Sequence, residues 1–300
     1  MLRVGIVGLP GSGRSTLFAA LTGGHGPIAA VPIPDDRLDA VARVEGSAKV
    51  TPAAMEVVDV AGAGSALLGN LRQVDALLGV VDGFSGTRDA AADREALRLE
   101  LVVADRDHVE GRLERVRTQA KSGDPRLKEE VGALERVLAH LESGLPLSQF
   151  PGELPAGLEP LTTKPLVVLE NGPGGIDLKL EAELAELPAE EAAEFREGPS
   201  ALEAVLRQVF EAADLLTFFT GGEKEARAWT LRRGESALEA AATIHTDFAR
   251  GFIRCEVIPW SDLVEAGSRA EAGRRGLQRI EGKTYVVEDG DVLNVRFNVG

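Results

Sequence analysis

The 300-residue sequence holds one cysteine, one tyrosine, two tryptophans and two methionines, and aromatic residues make up only 4% of it. A single thiol, Cys255, excludes an intramolecular disulfide and any thiolate cage for zinc. No uninterrupted apolar run is long enough to cross a bilayer. Met1 to Val4 leads straight into a strand-like segment with no charged leader or small-residue cleavage site, so the expectation is a cytoplasmic protein with no membrane partner. Cations are also scarce. Lys and Arg number 33 against 48 Asp and Glu, a net charge of −15, which argues against DNA and against non-specific phosphate-backbone affinity. The deficit is uneven: residues 215–300 carry 12 Lys and Arg against 13 Asp and Glu, leaving 21 against 35 for the rest. The last third alone can meet a polyanion.

What the chain does have is enough apolar residue, 44% beside 27% charged, to bury a core and to form two domains with an appendage. Leu2–Val7, Ala54–Val60, Ala76–Val81 and Pro165–Leu169 are short and apolar on both faces, as expected of strands in a parallel sheet covered by helices. Between the third and fourth, Val109, Leu113, Val116 and Ala120 are spaced as heptads, as are Leu127, Val131, Leu134, Leu138 and Leu141. The break Lys121-Ser122-Gly123-Asp124-Pro125 turns the two runs into a helical hairpin inserted in an α/β domain. A Pro- and Gly-rich linker, Leu145–Leu161, returns to the sheet. Helices are expected at Glu181–Leu187 and Ser200–Ala213. After Leu215 come strand-like pieces at 228–231, 252–257, 283–287 and 292–298 with helices at 236–243 and 260–266, the texture of a small α+β domain.

Gly8-Leu9-Pro10-Gly11-Ser12-Gly13-Arg14-Ser15 has the spacing of a phosphate loop, G-x-x-x-x-G-K-[ST], and stands between a strand and a helix, where such a loop works. Its glycines let backbone N–H groups converge on phosphate, and the helix starting at Arg14-Ser15-Thr16 adds its positive end. The lysine is Arg14, a longer planar cation that cannot occupy the same point. Asp35 and Asp36, some way downstream, invite a dinucleotide reading, but Thr16 stands where the third small residue belongs. Asp59-Val60-Ala61-Gly62 has the D-x-x-G form of a nucleotide switch, with Gly62 sensing a terminal phosphate and Ser15 and Asp59 holding Mg²⁺.

These motifs, together with Val31–Asp39, Met55–Gly62, Leu216–Thr220, Arg227–Thr230, Ile244–Arg254 and Glu281–Asp291, resemble the YchF subfamily of Obg-like P-loop nucleotidases over nearly the whole chain. The resemblance implies a P-loop NTPase sheet of G-domain type at 1–84 and 165–214. It implies an inserted coiled-coil hairpin at 85–164 and a C-terminal β-grasp TGS domain at 215–300. It implies ATP or GTP with Mg²⁺, ATP preferred in the family, and association with the ribosome or ribosomal RNA through the TGS domain and helical arm. Nucleotide contacts then fall on Gly8, Pro10, Gly11, Ser12, Gly13, Arg14, Ser15, Thr16, Gly62 and, for the base, Asn171.

Three departures lie in that site. Besides Arg14, no threonine occurs between Gly23 and Val50 to complete the metal shell, and the base-reading N-x-x-[ED] is Asn171-Gly172-Pro173-Gly174. They imply weak or lost hydrolysis, so no residue is assigned as catalytic. The alternative is a non-enzymatic TGS adaptor that binds no nucleotide. Elsewhere, Arg269, Arg274, Arg275, Arg279 and Lys283 read equally as an RNA contact and as a solvated helix face; His108 and His140 are expected on the hairpin's wet faces, and His245 as structural.

Overall fold

In a computed structural model of the chain, residues 1–24, 26–59, 68–69, 71–86, 89–195 and 200–298 are described. The apolar runs become a five-stranded sheet in the order β2 (Ile28–Pro32), β4 (Ala54–Val58), β1 (Leu2–Gly8), β5 (Ala76–Asp82), β6 (Leu166–Asn171). β1, β5 and β6 are parallel, with Gly8 beside Val80 and Asp82 beside Asn171. Every residue of β5 is buried, which is why its sequence shows no alternation. β2 and the two-residue β3 (Val50–Thr51) are not expected from the sequence.

The hairpin forms as its heptads require. α3 (Ala90–Ala120) and α4 (Pro125–Glu142) follow α1 (Arg14–Thr22) and α2 (Asp36–Glu45), and Asp124 caps α4 by accepting from the Arg126 N–H at 2.9 Å, with Pro125 in the first turn. Val109, Leu113, Val116, Leu134 and Leu141 are buried in one seam, joined by Val137. The hairpin is anchored at its base by Asp105, which is 1% exposed. Its carboxylate accepts from Arg72 Nη1 (2.6 Å), from the backbone N–H groups of Leu161 and Thr162 (both 2.9 Å) and from Thr162 Oγ1 (2.7 Å). His140 is not on a wet face: its Nε2 lies 3.1 Å from the Pro146 carbonyl and its ring meets Phe150 edge-on. Burial holds His108 below the ordinary histidine pKa, with the Arg72 charge adding to the effect.

Helices α5 (Leu178–Ala185), α6 (Ala189–Glu194) and α7 (Ala201–Ala212) complete the α/β part. The C-terminal sheet is six-stranded, in the order β10 (Arg279–Glu281), β9 (Phe252–Pro259), β11 (Asp291–Phe297), β7 (Leu215–Thr220), β8 (Ala226–Arg232), β3. Phe218, Leu231, Ala237, Ala240, Cys255, Val257 and Leu293 form its core under α8 (Ala237–Ile244). α9 (Thr246–Arg250), α10 (Trp260–Ala266) and α11 (Arg269–Arg274) follow in the same region.

The expected strand at 283–287 does not form. Its carbonyls turn instead to the start of α8, Tyr285 C=O accepting from the Ala237 N–H at 2.8 Å and Lys283 C=O from the Leu238 N–H at 3.2 Å. The chain divides into two compact units, one of residues 3–29 and 56–205 and the other of residues 1–2, 30–55 and 206–300.

Within the second unit, residues 30–55 are tied to the C-terminal sheet. Val50 and Thr51 pair in parallel with Ala226 and Arg227 at the edge of β8. Ser47 Oγ donates to the Gly222 carbonyl at 2.7 Å, and Arg269 pairs with Glu45 at 2.9 Å. The Arg37 guanidinium bridges Asp35 (2.8 Å) and Asp289 (2.6 Å) and lies over the Phe219 ring.

Candidate functional site: a phosphate loop at the ends of parallel strands

The carboxyl ends of β1, β5 and β6 meet at one edge of the sheet, the place where open α/β folds hold ligands. β1 ends at Gly8, where a Cβ would stand 2.6 Å from the Val80 carbonyl oxygen, so no side chain fits. The chain then turns, Ser12 N–H donating to Leu9 C=O at 3.1 Å, with Gly11 at φ 82° and Gly13 at φ 104°. Both angles favour glycine.

Gly13 is the N-cap of α1 and no side chain caps that end, nor is any acid present in the first turn, which leaves the helix's positive end open to an anion. Ser12 is 0% exposed, and its Oγ has no hydrogen-bond partner. A buried hydroxyl in that state is incomplete without a ligand or an ordered water. Pro10, Gly11 and Ser15 are exposed along the loop, Thr16 is half-buried, and the stem of half-buried Arg14 passes over Gly8, its Cγ 3.2 Å from where a Gly8 Cβ would be.

Asn171, at the end of β6, sits against the phosphate loop: Nδ2 donates to the Ser12 carbonyl at 3.1 Å and Oδ1 accepts from the Leu178 N–H at 3.3 Å. Its amide lies so close that a Cβ on Gly13 would come within 2.5 Å of Nδ2. Asp59, half-buried just past β4, has its N–H bonded to the Pro27 carbonyl at 2.9 Å. Ser15 and Asp59 offer hard oxygen donors of the kind Mg²⁺ takes. Gly62 lies outside the described residues. Among the described residues no group of three or more His, Cys, Asp or Glu is placed to hold a metal ion without help from a ligand.

Sequence reasoning passes over neighbours of this site. Phe84, just beyond β5, is 69% exposed beside a turn in which Asp82 accepts from the N–H groups of Phe84 (2.9 Å) and Ser85 (3.0 Å). Glu170 precedes Asn171 and belongs to no motif.

The basic run of the last third is largely neutralised: Arg269 pairs with Glu45, Arg274 and Arg275 with Glu271, and Arg279 with Asp291. His245 is structural, its Nδ1 accepting from the Asp247 N–H at 3.1 Å at the start of α9. A cavity of about 510 Å³ at the hairpin base, lined by Arg98, Leu99, Leu145 and Lys164, lies apart from the phosphate loop. Its lysine is committed, Nζ donating to the Val74 carbonyl at 2.6 Å.

Comparison with known proteins extends the likeness over the full chain. A family model described as 50S ribosome-binding GTPase matches residues 3–125, and the C-terminal model of YchF GTPases, described as a protein of unknown function, matches residues 215–298. The ribosome-binding ATPase YchF of Haemophilus ducreyi is 37% identical, covering 99% of both chains. That of Bacillus subtilis is 36% identical over 99% of this chain and 100% of its own. The structure of the Schizosaccharomyces pombe YchF GTPase superposes with a TM-score of 0.82 at 27% identity, covering 98% of this chain and 97% of that one.

Proposed function

The chain belongs to the YchF family, and we propose that it is a purine-nucleotide-binding protein of the translation apparatus with slow or absent hydrolysis. The observation that carries this reading is the N-terminus of α1, uncapped by any side chain and free of acid in its first turn, at the end of a loop with two positive-φ glycines. A phosphate takes the open N–H groups of that end.

In this reading Gly8, Pro10, Gly11, Ser12, Gly13, Arg14, Ser15 and Thr16 surround the phosphates of ATP or GTP, and Asn171 positions the base side of the cleft while bracing the loop. Gly62 is assigned the terminal phosphate from its motif alone. The Ser15 hydroxyl and the Asp59 carboxylate would hold Mg²⁺, whose chemistry is to neutralise phosphate charge and polarise the bond to the terminal phosphoryl group. Arg14 supplies a fixed cation in place of an ammonium, and no threonine between Gly23 and Val50 is available to close the metal shell. Both losses remove charge stabilisation that phosphoryl transfer needs, which is the ground for slow or absent hydrolysis.

We assign residues 1–84 and 165–214 to the nucleotide-binding part, 85–164 to the arm and 215–300 to the TGS part, with residues 30–55 of the first attached to the C-terminal sheet. The names of the bacterial relatives support ribosome association, in the cytoplasm; the arm and the TGS part are our assignment for the contact.

The test is a titration of nucleotide-stripped protein with ATP and GTP, with and without Mg²⁺, beside Arg14→Lys. Saturable micromolar binding, tightened and accompanied by faster turnover in Arg14→Lys, is expected. No binding by either protein at millimolar nucleotide rejects the reading in favour of a nucleotide-free adaptor.

A further inference from the structure

The parallel sheet ends at β6. Its neighbour β5 is buried at every residue, whereas in β6 only Leu169 is buried, and Leu166, Val167 and Val168 are half-buried. The pairing with β5 runs without a break from Leu166 to Asn171, and Leu166-Val167-Val168-Leu169 contains no charge, proline or bulge of the kind that blunts an exposed edge. The Pro165 and Asn171 carbonyls face β5, accepting from the N–H groups of Leu77 (2.8 Å) and Gly83 (2.9 Å). Alternation therefore turns the main-chain groups of Leu166, Val168 and Glu170 outward. Among the described residues those of Leu166 and Val168 meet no partner. The Glu170 carbonyl does, accepting from the Ile176 N–H at 2.8 Å, and Ile176 bridges Asn171 in parallel. The chain thus begins a sixth strand on this edge and abandons it, α5 starting at Leu178.

A cavity adjoins the same edge. Leu166 and Val168 lie on the sheet face packed by α3: a Cβ on Gly79 would stand 3.0 Å from Val168 Cγ2, 3.1 Å from Leu97 Cδ2 and 3.5 Å from Leu166 Cδ1. Leu166 also lines the cavity at the hairpin base, together with Leu99 and Leu145, which are 54% and 44% exposed, and with two cations, Arg98 and Lys164. Neither cation pairs with a carboxylate among the described residues: Arg98 is exposed, and Lys164 spends one donor on the Val74 carbonyl. Glu95, the one acid in the lining, is exposed and engages neither. Burial holds Lys164 below the ordinary lysine pKa, with Glu159 and Asp75 pulling the other way, so a carboxylate entering the cavity meets a cation already stripped of part of its water. Edge and cavity belong to one compact unit.

We propose that the open edge of β6 takes up an extended segment of a partner protein, hydrogen-bonded through Leu166 and Val168, whose carboxylate side chain enters the adjoining cavity toward Arg98 and Lys164. Strand addition draws affinity from main-chain bonds and specificity from pockets for alternate side chains, and this edge supplies both. Every second side chain of the added segment points to the α3 face, where the wall is apolar and the cations are unpaired. The stretch available runs from Pro165 to Leu169, about 16 Å at the ordinary strand rise, because the turn back to Ile176 closes the edge beyond it. The partner segment is therefore short, free to extend, and acidic at alternate positions.

The test titrates full-length protein, by fluorescence anisotropy, with three labelled hexapeptides: one alternating valine and glutamate, one alternating valine and lysine, and the acidic one N-methylated at every amide. The acidic peptide is expected to bind saturably and roughly tenfold tighter than the lysine peptide, and the N-methylated peptide not at all. Arg98→Glu, a change on an exposed side chain, is expected to weaken the acidic peptide about tenfold and to leave the urea midpoint and nucleotide affinity as in wild type. Val168→Pro removes an outward N–H and spares the ladder to β5, so it is expected to abolish peptide binding. If that variant does not fold, the N-methylated peptide makes the same test on the unaltered protein. Equal binding of the N-methylated peptide overturns the strand pairing, equal binding of the lysine and glutamate peptides overturns the acidic partner, and no binding of the acidic peptide at millimolar concentration overturns both. Concentration-dependent dimerisation in sedimentation, lost in Val168→Pro, gives the edge to a second copy of the chain and rejects the acidic partner.

Discussion

Two equally buried polar groups in the α/β part have opposite fates. Asp105 at the hairpin base is 1% exposed and accepts from Arg72, Leu161 and Thr162, while Ser12 in the phosphate loop is 0% exposed and its hydroxyl has no partner. The first is complete by itself, because two separate segments of the chain, at Arg72 and at Leu161–Thr162, converge on one carboxylate. The second is left without a partner beneath the phosphate loop. A buried polar atom that the protein satisfies holds the fold together, and one that it leaves open weakens it.

Breaking the satisfied member should have the larger effect. Asp105→Ala leaves Arg72, 8% exposed, as an unpaired cation at the hairpin base, and the urea midpoint is expected to fall by the equivalent of about 3–5 kcal/mol. A midpoint near wild type would show that water replaces the carboxylate and that the two sites are less different than their partners suggest. Ser12→Ala sharpens the contrast from the other side. Stability without nucleotide should hold or rise slightly, because no bond is lost and an unsatisfied buried hydroxyl is removed, and triphosphate affinity measured by calorimetry should stay within about threefold of wild type.

The C-terminal unit offers a third case, a polar group held chiefly by one charged partner. Burial works to raise the Asp289 pKa, but the Arg37 guanidinium and the Thr217 N–H prevail and hold it below the ordinary 3.8. A depressed carboxylate contributes stability that is present above its unfolded value and lost as pH falls through the folded one. Arg37→Ala should therefore cost about 1 kcal/mol near neutrality and flatten the acid limb of the stability profile, followed by fluorescence from about pH 5 down to about pH 2. The smallest effect is an absence. Cys255 is fully buried, and burial pushes its thiol up to about 12, so iodoacetamide under mildly alkaline conditions should not label the native protein, and labelling should keep pace with unfolding.

The parts legible in the sequence are those with a period or a fixed spacing. The hairpin's heptads mark its seam and its turn at 121–124, and the helix at Trp260–Ala266 matches the expected span residue for residue. The glycine spacing from Gly8 to Ser15 places the phosphate loop between β1 and α1. What escapes has partners that are distant in sequence. β3 is too short to show a pattern, and it exists because Lys49 C=O receives the Ala226 N–H at 2.9 Å. Lys283-Thr284-Tyr285-Val286-Val287 has strand composition, but its carbonyls serve the first turn of α8, a competition that β-propensity does not register. His140 reads as solvent-facing because nothing in its helix announces that the chain returns past it at Pro146 and Phe150.

The attachment of residues 30–55 to the C-terminal sheet sets an order for the chain's own synthesis. Ser47 meets Gly222 across 175 residues, and Arg37 meets Asp289 across 252. During translation, at roughly 5–20 residues per second, α2 emerges with its buried positions Leu38 and Val41 uncovered and β3 without the edge it joins. Those groups wait until β7, β8 and the Asp289 turn have left the exit tunnel, so one of the earliest segments made is among the last to fold. A chain interrupted before β8 keeps its hairpin seam but leaves α2 and the two residues of β3 without the partners that hold them.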